Sequence, residues 1–163
     1  MTYHAPIVMH VLESIRAWLS EQGVAYRELE HEPTRTSEDS ARVRGEELSI
    51  GGKALLLKVD DAFGLFVMSA ALRVDSGAIR KKLNARRSRF ATSDELFELT
   101  GLVPGSVPPF GRPILPFDLY VDESIGRNER IAFNAGSLEH SIFLQTGDYL
   151  RIAQPEIFRF ARE

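Results

Sequence analysis

Two nearly continuous apolar runs, Lys53 to Val59 (KALLLKV) and Gly64 to Ala70 (GLFVMSA), follow one another with Asp60, Asp61 and Gly64 as turn residues between them. Runs of this length bounded by turn signals read as a hairpin in the centre of a sheet. The stretches on either side of the hairpin have a different period. Ile7 to Gln22 carries Val8, Val11, Leu12, Ile15, Trp18 and Leu19 on one stripe, with Pro6 at the first turn and Gly23 as its C-cap. Glu38 to Arg44, capped by Thr36 or Ser37 and ended by Gly45, reads as a second helix, and Asp75 to Asn84 as a third. Thr92 and Glu95 form a capping box for Ser93 to Thr100, and Thr146 caps a helical turn through Ala153.

Further strands are expected at Ala25 to His31, Arg89 to Ala91, Phe117 to Val121, Ile131 to Asn134, Glu139 to Leu144 and Ile157 to Phe160, with Asp122 to Arg130 as a polar turn. Helices and strands alternate irregularly and no internal repeat is present. The expected fold is α+β: a single domain over residues 1–163, with a mixed, mainly antiparallel central sheet of six or seven strands flanked by helices. A chain of 163 residues is long enough for one real core.

Composition excludes several chemistries. There is no cysteine, hence no disulfide, thiolate metal site or cysteine nucleophile. His4, His10, His31 and His140 do not fall at metal-ligand spacings, so neither a metal nor a cofactor is expected. No phosphate-binding Walker loop, dinucleotide fingerprint or serine elbow is present. No apolar run reaches the length of a membrane span, and the opening MTYHAPIVMH lacks the pattern of a signal peptide. A cytoplasmic protein without a membrane partner is expected.

Four features could carry function. The first is Lys53, which opens an apolar strand after Gly51 and Gly52: either a lysine snorkelling at a strand end, or a fixed positive charge aimed into a pocket. The second is Gly101 to Gly111 (GLVPGSVPPFG), a stiff loop with a defined shape; within its segment Gly105 to Pro109 (GSVPP: Gly105, Ser106, Val107, Pro108, Pro109) successive backbone N–H groups, which the two prolines lack, could hold a carbonyl or oxyanion. The third is Asn134 to Ser137 (NAGS), a turn or a pocket segment, with His140 close by but no acidic partner that would make a triad with Ser137. The fourth is Arg80 to Arg89 (RKKLNARRSR), six basic residues without an acid on a chain of net charge -3: a solvated helix face or a footprint for a phosphate backbone. No aromatic alternates with those basic residues, so base stacking is not indicated there.

Taken in order, HEPTRTSED, a lysine opening an apolar strand, RKKL before a short helix, G-x-x-x-G-x-x-x-P-x-G and FNAGS resemble the YbaK family, the prolyl-tRNA synthetase-associated or ProX-like editing domains, over roughly Ile15 to Ile152. The resemblance implies a trans-acting aminoacyl-tRNA deacylase that hydrolyses the ester of a mischarged tRNA, with alanine on tRNA for proline as the first candidate and serine or cysteine open. The absence of synthetase domains implies the free-standing type. The alternative is a non-catalytic module of the same fold that binds tRNA or a synthetase.

By the resemblance, Lys53 and Gly105 are the catalytic positions. His31, Thr34, Thr36, Ser106, Val107, Pro108, Pro109, Asn134, Gly136, Ser137 and His140 are the substrate-binding ones. Arg80, Lys81, Lys82, Arg86, Arg87 and Arg89 would hold the tRNA acceptor end, and an aminoacyl-tRNA synthetase is the further partner implied.

Overall fold

The computed structural model describes residues 7–163, so the expectations placed on His4 and Pro6 lie outside the described residues. The chain enters through α1 (Ile7–Glu21), β1 (Arg27–Glu30), α2 (Ser37–Arg44) and a 3-10 turn at Leu48–Ile50. The central hairpin is β2 (Gly52–Val59) and β3 (Ala62–Ser69), followed by β4 (Arg73–Val74), α3 (Ser76–Leu83), β5 (Ser88–Phe90) and α4 (Ser93–Thr100). After the glycine- and proline-rich loop come β6 (Asp118–Val121), a 3-10 turn at Glu123–Arg127, β7 (Arg130–Asn134), β8 (His140–Gln145), α5 (Thr146–Ala153), β9 (Glu156–Ile157) and β10 (Ala161–Arg162).

The hairpin lies inside a five-stranded sheet of order β5-β2-β3-β6-β9, in which β3–β6 and β6–β9 are parallel and the other pairs antiparallel. The run in β3 is continuously apolar because both of its faces are buried. Leu65 and Val67 enter a core with Leu12, Ile15, Phe110, Phe133 and Tyr149, whereas Phe66 and Met68 enter a second core with Leu57, Ile79, Phe158 and Phe160.

The class is the mixed, mainly antiparallel α+β fold read from the sequence, but the strands are divided among sheets rather than gathered into one of six or seven. β1, β8 and β7 form a separate three-stranded antiparallel sheet, and β4 pairs with β10. Alternation identifies a strand without identifying its neighbour, so this division was not readable. The two larger sheets touch at a bridge between Gly51 and Ala132. A Cβ on Gly52 would lie 2.5 Å from Ile131 Cδ1, so the glycine permits the close approach.

Helix ends follow local chemistry. Thr36 Oγ1 accepts the Asp39 N–H, and Thr92 and Glu95 close the capping box on α4. Asp75 and Asn84 prove to be the caps of α3 rather than members of it. Two expectations fail and a third holds in part. Gly64 is not a turn residue but lies within β3 opposite Leu57, where a side chain would meet the rings of Phe66 and Tyr120. Thr146 does not cap α5; it is the first helical residue, and its buried hydroxyl has no partner among the described residues. Ile157 to Phe160 closes the sheet only through Ile157, which pairs with Val121 in the edge strand β9; the strand ends there, and Phe158 and Phe160 turn into the second core.

Asp122 was expected in a polar turn but is buried, and its carboxylate accepts N–H groups from Ser124 (2.9 Å), Phe160 (2.7 Å) and Ala161 (2.9 Å). Burial pushes the carboxyl pKa up, but these donors together outweigh burial and hold it below its ordinary value. A lowered folded-state pKa contributes stability that is present above the unfolded pKa and is lost as pH falls through the folded value. Asp122→Asn turns an amide N–H₂ toward backbone donors and is expected to cost about 2 kcal/mol in urea unfolding at pH 7. The difference from wild type should shrink as the pH is lowered below 4.

Candidate functional site

α2, the start of β2, the loop at Gly105 and the end of β7 surround a cavity of about 220 Å³. Five of the residues singled out in the sequence line it: Thr36, Lys53, Gly105, Val107 and Asn134. They come from four separate parts of the chain and meet because the Gly51–Ala132 bridge sets β7 beside the first residue of β2.

Lys53 is half-buried and donates from Nζ to the carbonyl of Leu72 at 3.1 Å. Burial lowers its pKa from the usual lysine value, while the charge of Glu38 acts in the opposite direction. Gly105 has φ +89°, a conformation other residues rarely adopt, and a Cβ there would lie 3.3 Å from Leu138 Cδ2. Among the described residues, no hydrogen bond is made by the N–H of Gly105 or of Val107, so both are free donors on loop residues that line the cavity. The carbonyl of Gly105 accepts from Asn134 Nδ2 at 2.9 Å.

The loop is fixed from behind. Tyr149, fully buried in α5, donates its hydroxyl to the Pro109 carbonyl at 2.5 Å. Ser106 turns its hydroxyl back to the Val103 carbonyl at 2.8 Å, and its own carbonyl accepts the Gly136 N–H at 2.9 Å. Ser106, Pro108, Pro109 and Gly136 are therefore buried supports of the loop, outside the cavity lining.

Sequence reasoning missed Arg44, the last residue of α2. Its guanidinium donates to Asn134 Oδ1 at 2.9 Å and to Ser141 Oγ at 2.8 Å while lining the cavity. No carboxylate lies within ion-pairing distance of it among the described residues. Burial brings its pKa down to about 10, with Glu46 acting in the opposite direction. An arginine before a helix-ending glycine reads simply as a complement to the helix dipole, so no sequence signal marked this one.

His31 joins this network without reaching the cavity. Its Nδ1 donates to the Glu32 carbonyl at 2.7 Å, which leaves Nε2 to accept from Ser141 Oγ at 2.8 Å. Thr34 is buried, with its hydroxyl 2.9 Å from that of Ser40 and 3.3 Å from Asn134 Nδ2. Ser137 and His140 pair at 2.9 Å within their turn, away from the cavity.

The basic run forms a separate surface. Arg89 is held by Glu95 through two bonds, at 2.7 and 3.0 Å, and Arg80 donates to Ser88 Oγ at 3.0 Å. Lys81, Lys82, Arg86 and Arg87 are exposed and make no ion pair among the described residues. No helix among the described residues is long and apolar enough to cross a membrane.

Comparison with known proteins places the chain in a family. The model of the aminoacyl-tRNA editing domain matches residues 31–152. The chain is 38% identical over 152 residues to the multifunctional Ser/Thr-tRNA deacylase ProXp-y of Escherichia coli (strain K12), covering 90% of each chain. It is 31% identical over 101 residues to a proline–tRNA ligase of Shouchella clausii, covering 62% of this chain and 18% of the ligase. A solved structure described as a putative trans-editing enzyme for prolyl tRNA synthetase superposes with a TM-score of 0.80 at 23% identity, covering 99% of this chain and 100% of that one.

Proposed function

The chain belongs to the aminoacyl-tRNA editing domain family and is an aminoacyl-tRNA deacylase; within that activity we propose that it prefers tRNAs esterified with serine or threonine. The observation that carries this reading is the hydroxyl-bearing wall that α2 gives the cavity. Thr36 uses its oxygen as an acceptor for the Asp39 N–H and keeps its own proton free to donate. The Ser37 hydroxyl makes no hydrogen bond among the described residues. A wall that can bond a substrate hydroxyl separates serine from alanine far better than an apolar wall of the same size. The name of the Escherichia coli relative supports the same substrates. Alanine, the first candidate from the family resemblance, would fit by volume but leave Ser37 unmet.

In this reading the Lys53 ammonium and the N–H groups of Gly105 and Val107 face the ester. An aminoacyl ester is already activated, so the site needs to position it and stabilise charge rather than supply a strong nucleophile. Water adds to the carbonyl carbon, and negative charge develops on the carbonyl oxygen beside these donors. The bond to the ribose oxygen then breaks, the ribose oxygen leaves with a proton, and the free amino acid departs. Lys81, Lys82, Arg86 and Arg87 contact acceptor-end phosphates without reading sequence. The matching segment in a proline–tRNA ligase supports a synthetase as a partner.

Ser37→Ala tests the preference. The ratio of kcat/KM for seryl- over alanyl-tRNA is expected to fall about tenfold, the worth of one hydrogen bond. An unchanged ratio in a folded variant would remove Ser37, and with it the hydroxyl wall, from substrate selection.

A further inference from the structure

A groove of about 120 Å³ adjoins the cavity, and the two share Ala54, Leu55, Gly105 and Val107. Its outer wall is Phe90, the last residue of β5, whose ring is 55% exposed; Pro104 lies on the facing loop. No aromatic lies inside the basic run, but Phe90 immediately follows it and stands open beside it.

The inner wall is a stretch of unpaired strand edge. β5 pairs with β2 only at Leu57, Lys58 and Val59, and the last bond beyond that ladder runs from the Ala91 N–H to the Leu56 carbonyl at 2.9 Å. Leu56 therefore turns its main-chain groups toward β5, and by the two-residue period Ala54 turns its own the same way. The β3 side agrees: Val67, opposite Ala54, gives its carbonyl to the Asp122 N–H at 2.8 Å, so it faces β6 and does not bond Ala54. The N–H and C=O of Ala54 thus point into the groove, beyond the end of the β2–β5 ladder and away from β3. A donor and an acceptor side by side on a strand edge are a template for a complementary pair.

We propose that this groove binds the base of the substrate's terminal nucleoside, an adenine stacked on Phe90 and read along one edge by the Ala54 main chain. Adenine presents an N–H donor at N6 beside an acceptor at N7, the complement of a backbone C=O and N–H. The groove opens directly onto the cavity that takes the ester, as a nucleoside carrying that ester requires. The exposed Arg86 and Arg87 lie just before β5, which Phe90 ends, where phosphates leading to the base would pass. The inference rests on the deacylase reading but not on which amino acid is preferred.

The test is a fluorescence-anisotropy titration of the full chain with a short uncharged oligonucleotide ending in CCA, and with the same oligonucleotide lacking its terminal base. Base–aromatic stacking of this kind is worth about 5- to 150-fold in affinity. Phe90→Ala should weaken the complete oligonucleotide by a factor in that range, removal of the base should weaken wild type similarly, and the two together should be no worse than either alone. Phe90→Trp should restore binding, and an end carrying purine in place of adenine should bind more weakly to wild type through loss of the N6 donor. Unchanged affinity of Phe90→Ala, or losses that multiply, would overturn the assignment and leave Phe90 to a protein partner. Because the probe carries no amino acid, failure of the serine preference would leave this result standing, and the reverse also holds.

Discussion

Lys53→Ala is expected to lower single-turnover hydrolysis of a seryl-tRNA about 100- to 1,000-fold, the usual effect of removing one preorganised donor from a site where oxyanion charge develops. The residue is the second of β2, and among the described residues its side chain makes one bond, to the Leu72 carbonyl. Little of the fold depends on it, so the urea midpoint should move by no more than about 1 kcal/mol equivalent. The pH profile separates a charge from a spacer. Burial lowers the lysine pKa, so the ammonium is present below that lowered value and is lost as pH rises through it. Activity that needs the cation should therefore decline on the alkaline side earlier than an ordinary lysine would allow, and Lys53→Ala should lack that limb. A folded Lys53→Ala protein with full activity would remove the lysine from the chemistry.

Arg44→Ala is the second large effect, and it acts through other residues. Arg44 fixes the Asn134 amide by bonding its oxygen, which directs Nδ2 to the Gly105 carbonyl. Without it the amide is oriented only by the longer contacts to Ser141 and Thr34, at 3.3 Å each, and its tie to the loop loosens. A displacement of about 1 Å in positioned donors costs on the order of 100-fold, so kcat should fall by about that factor with a smaller change in KM. Arg44→Lys keeps the charge but not both bonds, and should recover only part of the loss. A purely structural role would instead lower stability and leave the kcat of the folded fraction unchanged. Urea unfolding and active-site titration on the same samples distinguish the two.

These residues show what the sequence could and could not carry. Lys53, Gly105 and Asn134 stood out because each breaks a local pattern: a charge opening an apolar strand, a glycine among prolines, an amide ending a strand. Thr36 was legible as a cap and lines the cavity as well. Arg44 breaks no pattern, since its meaning lies in a contact 90 residues away. Ala54 is silent for a related reason: an alanine matters there only because β5 stops short of it. Ser137 and His140 stood among the substrate-binding positions implied by the resemblance, and in the structure they bond to each other within a turn. Arg89 was counted among free cations because Glu95 was legible only as the acid of a capping box, and in the structure it serves both ends.

The fold was legible to the same depth. Local periodicity and capping placed the helices and most strands, whereas the choice of sheet partner did not follow from any local run. Phe66 and Leu65 are adjacent in one apolar stretch, but they face different cores because β3 has elements packed on both sides.

The measurement that bears most directly on the central claim is single-turnover hydrolysis by wild type of a panel of tRNAs charged with serine, threonine, alanine and proline, with Lys53→Ala run alongside. Rapid release of serine and threonine, slower release of alanine, sparing of the prolyl ester and loss of turnover in the variant are the expected results. Hydrolysis of alanyl-tRNA as fast as seryl-tRNA would contradict the serine and threonine assignment, and turnover unaffected by Lys53→Ala would contradict the site.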